Sequence, residues 1–75
     1  MTPTQSRMAR AALKWSLSDL AEQAGVGRAT VARFELGEGE TGPDTLDKLQ
    51  KALAAAGADF TRRAGRVGVT VPEAN

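Results

Sequence analysis

Two arginines five residues apart, Arg28 and Arg33, carry the strongest chemical signal in the chain. Wound as a helix, "RATVARFEL" (28–36) places Arg28, Ala29, Ala32 and Arg33 within an arc of about 140°, with Thr30 at its border. Val31, Phe34 and Glu35 take the opposite side. The outward side therefore offers two cations and two methyl groups, and no bulky apolar side chain. A guanidinium is a planar fork of donors that matches a phosphate or the edge of a guanine. Alanines beside it let the helix lie close against the surface it meets. Other chemistry is scarce. The chain has no cysteine and no histidine, which removes disulfides, thiolate metal sites and the commonest general base. Carboxylates and lysines remain, but no acid/base or nucleophile set forms. Three aromatic residues in 75 leave little material for a substrate pocket. We expect no enzyme, no cofactor and no metal site.

The bulk properties set further bounds. Seventy-five residues allow one domain with one small core, marginal in size and apt to gain from a partner subunit. No stretch approaches the roughly 18 apolar residues of a membrane helix. "MTPTQSRMAR" lacks the apolar centre of a signal peptide. A cytoplasmic protein is expected, with no membrane partner. The net charge of +1 conceals a segregated pattern. Residues 1–34 carry +3, residues 35–59 carry −4 and residues 60–75 carry +2. Such separation suits a face that meets a polyanion.

The elements that must position Arg28 and Arg33 can be read from caps and apolar spacing. "QSRMARAALK" (5–14) is made of good helix formers. Ser6, Ala9, Arg10 and Leu13 share one face, and Trp15 follows as a core anchor. Ser16 caps a second helix, and Asp19 completes a capping box. Leu20, Ala21 and Ala24 form its inner side. Gly25 ends it in the left-handed conformation, and Val26 plugs the turn. The third helix opens at Gly27 or Arg28 and stops at Gly37. "GEGETGP" (37–43) is a loop. A fourth helix over about 44–56, capped by Asp44 or a neighbour, shows the stripe Leu46, Leu49, Leu53, Ala56. Beyond Gly57, Val67, Val69 and Val71 alternate with a strand period, with Phe60 upstream and a turn at "RRAGR". That predicts a β-hairpin or a single strand, and a frayed "PEAN" end. The expected fold is mainly α: four helices over 1–57, then a β-rich tail over 58–75 that is a candidate for dimerisation.

"LSDLAEQAGVGRATVARFEL" (17–36) resembles the helix-turn-helix of the phage repressor/Cro type, also called the xenobiotic-response-element family. The resemblance rests on Leu20-Ala21, Gly25, Val26, Val31, Phe34 and Glu35, with Arg10 upstream and "PDTL" (43–46) downstream. It spans about residues 5–56. It implies a double-stranded DNA partner, with the 28–36 helix in the major groove and the preceding helix across the backbone. By this resemblance Arg28, Ala29, Thr30, Ala32 and Arg33 meet base edges or nearby phosphates. Leu17 and Ser18 stand where the family often places a DNA-touching glutamine. Leu17 departs from that pattern, and either contacts a thymine methyl or contributes nothing. Arg7 and Lys14 are candidate phosphate contacts, and Arg10 and Glu35 a structural ion pair. Gly27 replaces the usual serine or threonine cap. Glu38 and Glu40 occupy a loop that is often basic in the family, and carboxylates there repel phosphate.

The function that follows is a sequence-specific regulator, a repressor bound to a palindromic operator as a homodimer. Its expected setting is the nucleoid of a bacterial or phage-derived system. The alternating valines motivate the dimer, because an open strand edge is a template for pairing. The alternative is a helix-turn-helix interaction module, an antitoxin or antiactivator that masks a protein partner. The acidic loop favours that alternative.

Overall fold

The computed structural model describes residues 1–73. Ala74 and Asn75, which end the "PEAN" segment expected to fray, lie outside the described residues. Four helices, α1 (Pro3–Leu13), α2 (Leu17–Ala24), α3 (Arg28–Leu36) and α4 (Pro43–Ala55), precede an antiparallel hairpin of β1 (Asp59–Arg63) and β2 (Arg66–Thr70). The chain is mainly helical with a two-stranded C-terminal sheet, as its patterning predicts.

Helix starts follow local chemistry. α1 begins at Pro3, earlier than residue 5, because Thr2 caps it. Thr2 Oγ1 accepts the Gln5 N–H at 3.1 Å, and Gln5 Oε1 accepts the Thr2 N–H at 3.0 Å. This is a capping box with proline at the first helical position. Ser16 and Asp19 repeat the exchange at α2, at 3.0 and 2.8 Å. α3 and α4 start from Gly27 and Gly42 with no side-chain cap. Asp44 is therefore not the cap of α4. Pro43 takes the first position, and Asp44 falls in the first turn, where its charge complements the helix dipole.

All four helices end alike. A backbone N–H reaches five residues back, from Trp15, Val26, Glu38 and Ala58 to the carbonyls of Arg10, Ala21, Arg33 and Leu53, at 2.8, 3.0, 3.0 and 3.0 Å. This closure needs a left-handed residue just before the donor. Gly25, Gly37 and Gly57 supply it, at φ 69°, 72° and 105°. At α1 the position falls to Lys14, at φ 60°. A side chain in that conformation costs about 1 kcal/mol.

The core is small. Ala9, Leu20, Ala21, Val31, Phe34, Leu49, Leu53 and Ala58 are buried, one or more from each helix, with Ala58 from the approach to the hairpin. Trp15, Leu13, Val26 and Leu46 pack around them half-buried. The hairpin closes one side. Ala64 and Gly65, both at positive φ (52° and 75°), form a two-residue turn that matches the strand twist. Phe60 pairs with Val69, and both join the core edge with Val71, which lies just past the end of β2. Val69 and Val71 are thus covered by the chain's own helices. Gln5 bolts the hairpin to α1: its Nε2 donates to the Thr61 carbonyl at 2.9 Å and the Gly68 carbonyl at 3.0 Å, one on each strand. At 4% exposure these bonds are shielded from water.

Gln5→Ala removes both donations to the strands and half of the capping box. It should lower unfolding stability by about 2–3 kcal/mol in a denaturant titration.

Candidate nucleic-acid interface

The interface is built on α3, and its buried side explains its orientation. Val31 and Phe34 enter the core, and Glu35 follows them at 4% exposure. A buried carboxylate requires partners, and α1 supplies them. Arg10 Nε lies 2.8 Å from Glu35 Oε2, and Arg10 Nη2 lies 2.6 Å from Oε1. Ser6 Oγ donates to Oε2 at 2.6 Å. Arg7 adds a bond from Nη1 to the Glu35 carbonyl. Arg10 Nη1 also donates to the Trp15 carbonyl at 3.1 Å, beyond the end of α1. The Arg10 pKa is raised, chiefly by its side-chain hydrogen bond to Glu35, with burial opposing and Coulomb attraction assisting. A raised pKa on a cation means the stabilisation is complete below the ordinary guanidinium value. It is lost only in strong alkali, so Arg10 imparts no pH dependence near neutrality.

The opposite side of α3 is free. Arg28, Ala29, Thr30 and Arg33 are exposed, while Ala32 is half-buried. Arg33 does not project straight outward. Its Nη2 lies 3.1 Å from where a Cβ on Gly39 would sit, so the side chain follows the loop after α3. Thr30 and Arg33 share a polar cleft with Glu38, Glu40, Thr41 and Thr45. The two loop carboxylates therefore border the same cleft as Arg33.

The flanking candidates are placed differently. Ser18 is exposed in the first turn of α2. Leu17 is half-buried, and it borders a second cleft with Ala32 and Leu36, walled by Arg7 and Arg10. Leu36 is 71% exposed, the most open large apolar side chain described. Arg7 is exposed, yet part of its donor set is already engaged by the Glu35 carbonyl and by Thr4 Oγ1. Lys14 is exposed at the end of α1. Sequence reasoning did not single out Ser6 as a Glu35 partner, nor Gln5 as the hairpin anchor. The Thr2-to-Gln5 capping spacing was a signal for Gln5, but only for its helix-start role. Nothing local pointed to Leu36. Among the described residues, no group of acidic side chains could hold a metal ion, and no helix is long and apolar enough to cross a membrane.

Two helices meet at a glycine turn, with a buried corner and one free cationic side. A family model described as helix-turn-helix matches residues 7–56. The chain belongs to the helix-turn-helix family of the repressor/Cro type. A search of curated proteins returned no match. Helix-turn-helix domains of this family bind double-stranded DNA and regulate transcription, and the chain is a DNA-binding regulator on that ground. The family is regulatory and not catalytic. The match covers all of α2, α3 and α4 and most of α1, and leaves the hairpin outside it.

Arg10→Ala strands the Glu35 carboxylate in the interior and should cost about 3–5 kcal/mol of stability. Replacing both partners by apolar residues, as in Arg10→Met with Glu35→Leu, should recover most of that loss. Thermal melts of the single and double variants check both outcomes.

Proposed function

We propose that the chain is a sequence-specific repressor that binds a palindromic operator as a homodimer, with α3 in the major groove. The observation that carries this reading is the outward side of α3. Arg28, Ala29, Thr30 and Arg33 are exposed, and the helix beneath them is fixed by a buried ion pair. A reading helix needs that rigidity, because base contacts depend on positions held to fractions of an ångström. Arg28 and Arg33 supply forked donors for guanine edges or phosphates. Ala29 and Ala32 allow close approach, and Thr30 is suited to a base edge or a phosphate oxygen. Ser18 reaches the backbone from the start of α2, with Leu17 beside it for a thymine methyl. Lys14 and the free part of Arg7 supply further phosphate contacts. Repression by occupancy requires no more than this. A cytoplasmic, nucleoid-associated setting follows from the DNA partner.

The dimer rests on the hairpin's edges. Val69 and Val71 pack on the chain's own core, so the valine face is not the contact. A two-stranded sheet has an outer edge on each strand, and such edges pair readily with another copy. On this reading residues 1–57 carry sequence recognition, and the strand edges within 58–75 carry assembly.

A second reading has its own support. The cleft of Leu17, Ala32 and Leu36, with Leu36 open to water, is suited to an apolar partner side chain. Together with the acidic loop that borders the other cleft, this favours an antitoxin or antiactivator that masks a protein. Failure to bind any duplex at low salt would favour that reading.

Arg28→Ala and Arg33→Ala should each weaken binding by about 1–3 kcal/mol on the preferred duplex and much less on a scrambled one. Duplexes selected from random DNA provide the preferred sequence. An equal loss on both duplexes would assign phosphate contact instead of base reading.

Sedimentation equilibrium at micromolar concentration should give a two-chain species and not a single 7.8 kDa chain. Two inverted half-sites about 34 Å apart should be bound more tightly than the same half-sites moved by half a turn.

A further inference from the structure

We propose that the hairpin tip is a second DNA contact, which grips the phosphate backbone without reading sequence. This rests on the DNA-binding reading above. The tip carries three exposed arginines, Arg62, Arg63 and Arg66, around the turn Ala64-Gly65. Among the described residues, the ion pairs are Arg10 with Glu35 and Lys51 with Asp47, and neither engages the tip.

The fold has no use for these charges. Arg63 and Arg66 stand directly opposite each other in the strand register. Like charges at facing positions weaken a hairpin, so the pair opposes the element that carries it. A local rule broken without compensation inside the fold marks a site selected for something outside it. The turn between them is small, which lets the tip come close to a surface. Arg63, Ala64 and Arg66 also border a shallow cleft with Thr61, Val67 and Gly68.

The tip is held in a fixed relation to α3. Gln5 ties both strands to α1, and the Glu35 cluster ties α1 to α3. The chain measures 30 × 28 × 18 Å. Its long dimension is shorter than one duplex turn of about 34 Å, so the tip and the reading helix fall within about one turn of each other. The charge pattern supports the assignment. The loop after α3 bears Glu38 and Glu40 and offers phosphate nothing, whereas residues 60–75 carry +2. The cationic grip missing beside the reading helix is present on the hairpin.

Fluorescence anisotropy over a salt series tests this with the full chain, its preferred duplex and a scrambled duplex. In the R62Q/R63Q/R66Q variant, the slope of log affinity against log salt should fall by about 2–3, near 0.9 for each phosphate left without its arginine. Affinity should drop by the same factor, about 10- to 100-fold at low salt, on both duplexes. The R62K/R63K/R66K variant should keep the slope, which a purely structural role of arginine would not predict. Single variants R62Q, R63Q and R66Q, each lowering the slope by about one unit, guard against misfolding of the triple variant. An unchanged slope in the glutamine variants overturns the proposal while leaving DNA binding intact. A loss confined to the preferred duplex also overturns it, since the tip would then read bases. A wild-type chain that binds no duplex overturns both this proposal and the DNA-binding reading.

Discussion

The structure turns on one buried carboxylate. Glu35 sits at the inner end of α3 almost wholly shielded from water, and its charge must be matched where it lies. Arg10 meets it with two nitrogens and Ser6 with a hydroxyl, all at hydrogen-bonding distance. Because Arg10 also holds the Trp15 carbonyl, one guanidinium joins the end of α1, the link to α2 and the far end of α3. Bringing both charges out of water offsets much of what their attraction returns, so the pair is a weak source of net stability. Its effect is geometric. Few other placements of α3 would satisfy this carboxylate, and a reading helix works only in one placement.

The distribution of charge follows from that constraint. With Glu35 neutralised inside, the outward side of α3 is left with Arg28 and Arg33 alone. Arg33 then runs along Gly39, into a cleft bordered by Glu38 and Glu40. Carboxylates there reduce indiscriminate attraction to phosphate at the reading helix itself. Three further arginines, Arg62, Arg63 and Arg66, gather toward the opposite end of the sequence, on a hairpin that Gln5 fixes to the same α1. One short helix therefore serves as the common base for both positively charged surfaces, with Ser6 and Arg10 toward one and Gln5 toward the other.

The hairpin also completes the core. Ala58, Phe60, Val69 and Val71 cover apolar surface that four short helices leave open. A chain of this size has little apolar area to spare. The valine alternation that reads as an assembly face is for the most part a seal on the chain's own helices. Leu36 is the opposite case: it lies one residue after the buried Glu35 yet is open to water, at the border of the cleft that it shares with Leu17, Ala32 and the α1 residues Arg7 and Arg10.

Much of the fold is written locally. Ser16 with Asp19, and the glycines at 25, 37 and 57, specify helix ends through bonds that span only a few residues, so they are legible without the fold. The apolar stripe of α4 and the outward side of α3 follow from helical period alone, and the repressor-type pattern from residue types in register. Three things required tertiary contact. Gln5 reads only as the first residue of a helix, and only the packed hairpin supplies carbonyls 56 and 63 residues away for its amide. Ser6 reads as one member of the face of Ala9, Arg10 and Leu13, and Arg7 as a candidate phosphate contact; only the arrival of α3 gives them Glu35 as a partner. Arg33 reads as an outward cation, and only the path of the loop lays it beside Gly39. The sequence by itself determined how many helices form, where each of them ends and which side of each is apolar, because those depend on short-range bonds and periodicity. The tertiary structure decided which polar groups meet across elements, because a hydrogen bond between distant residues exists only once packing has brought both ends within about 3 Å.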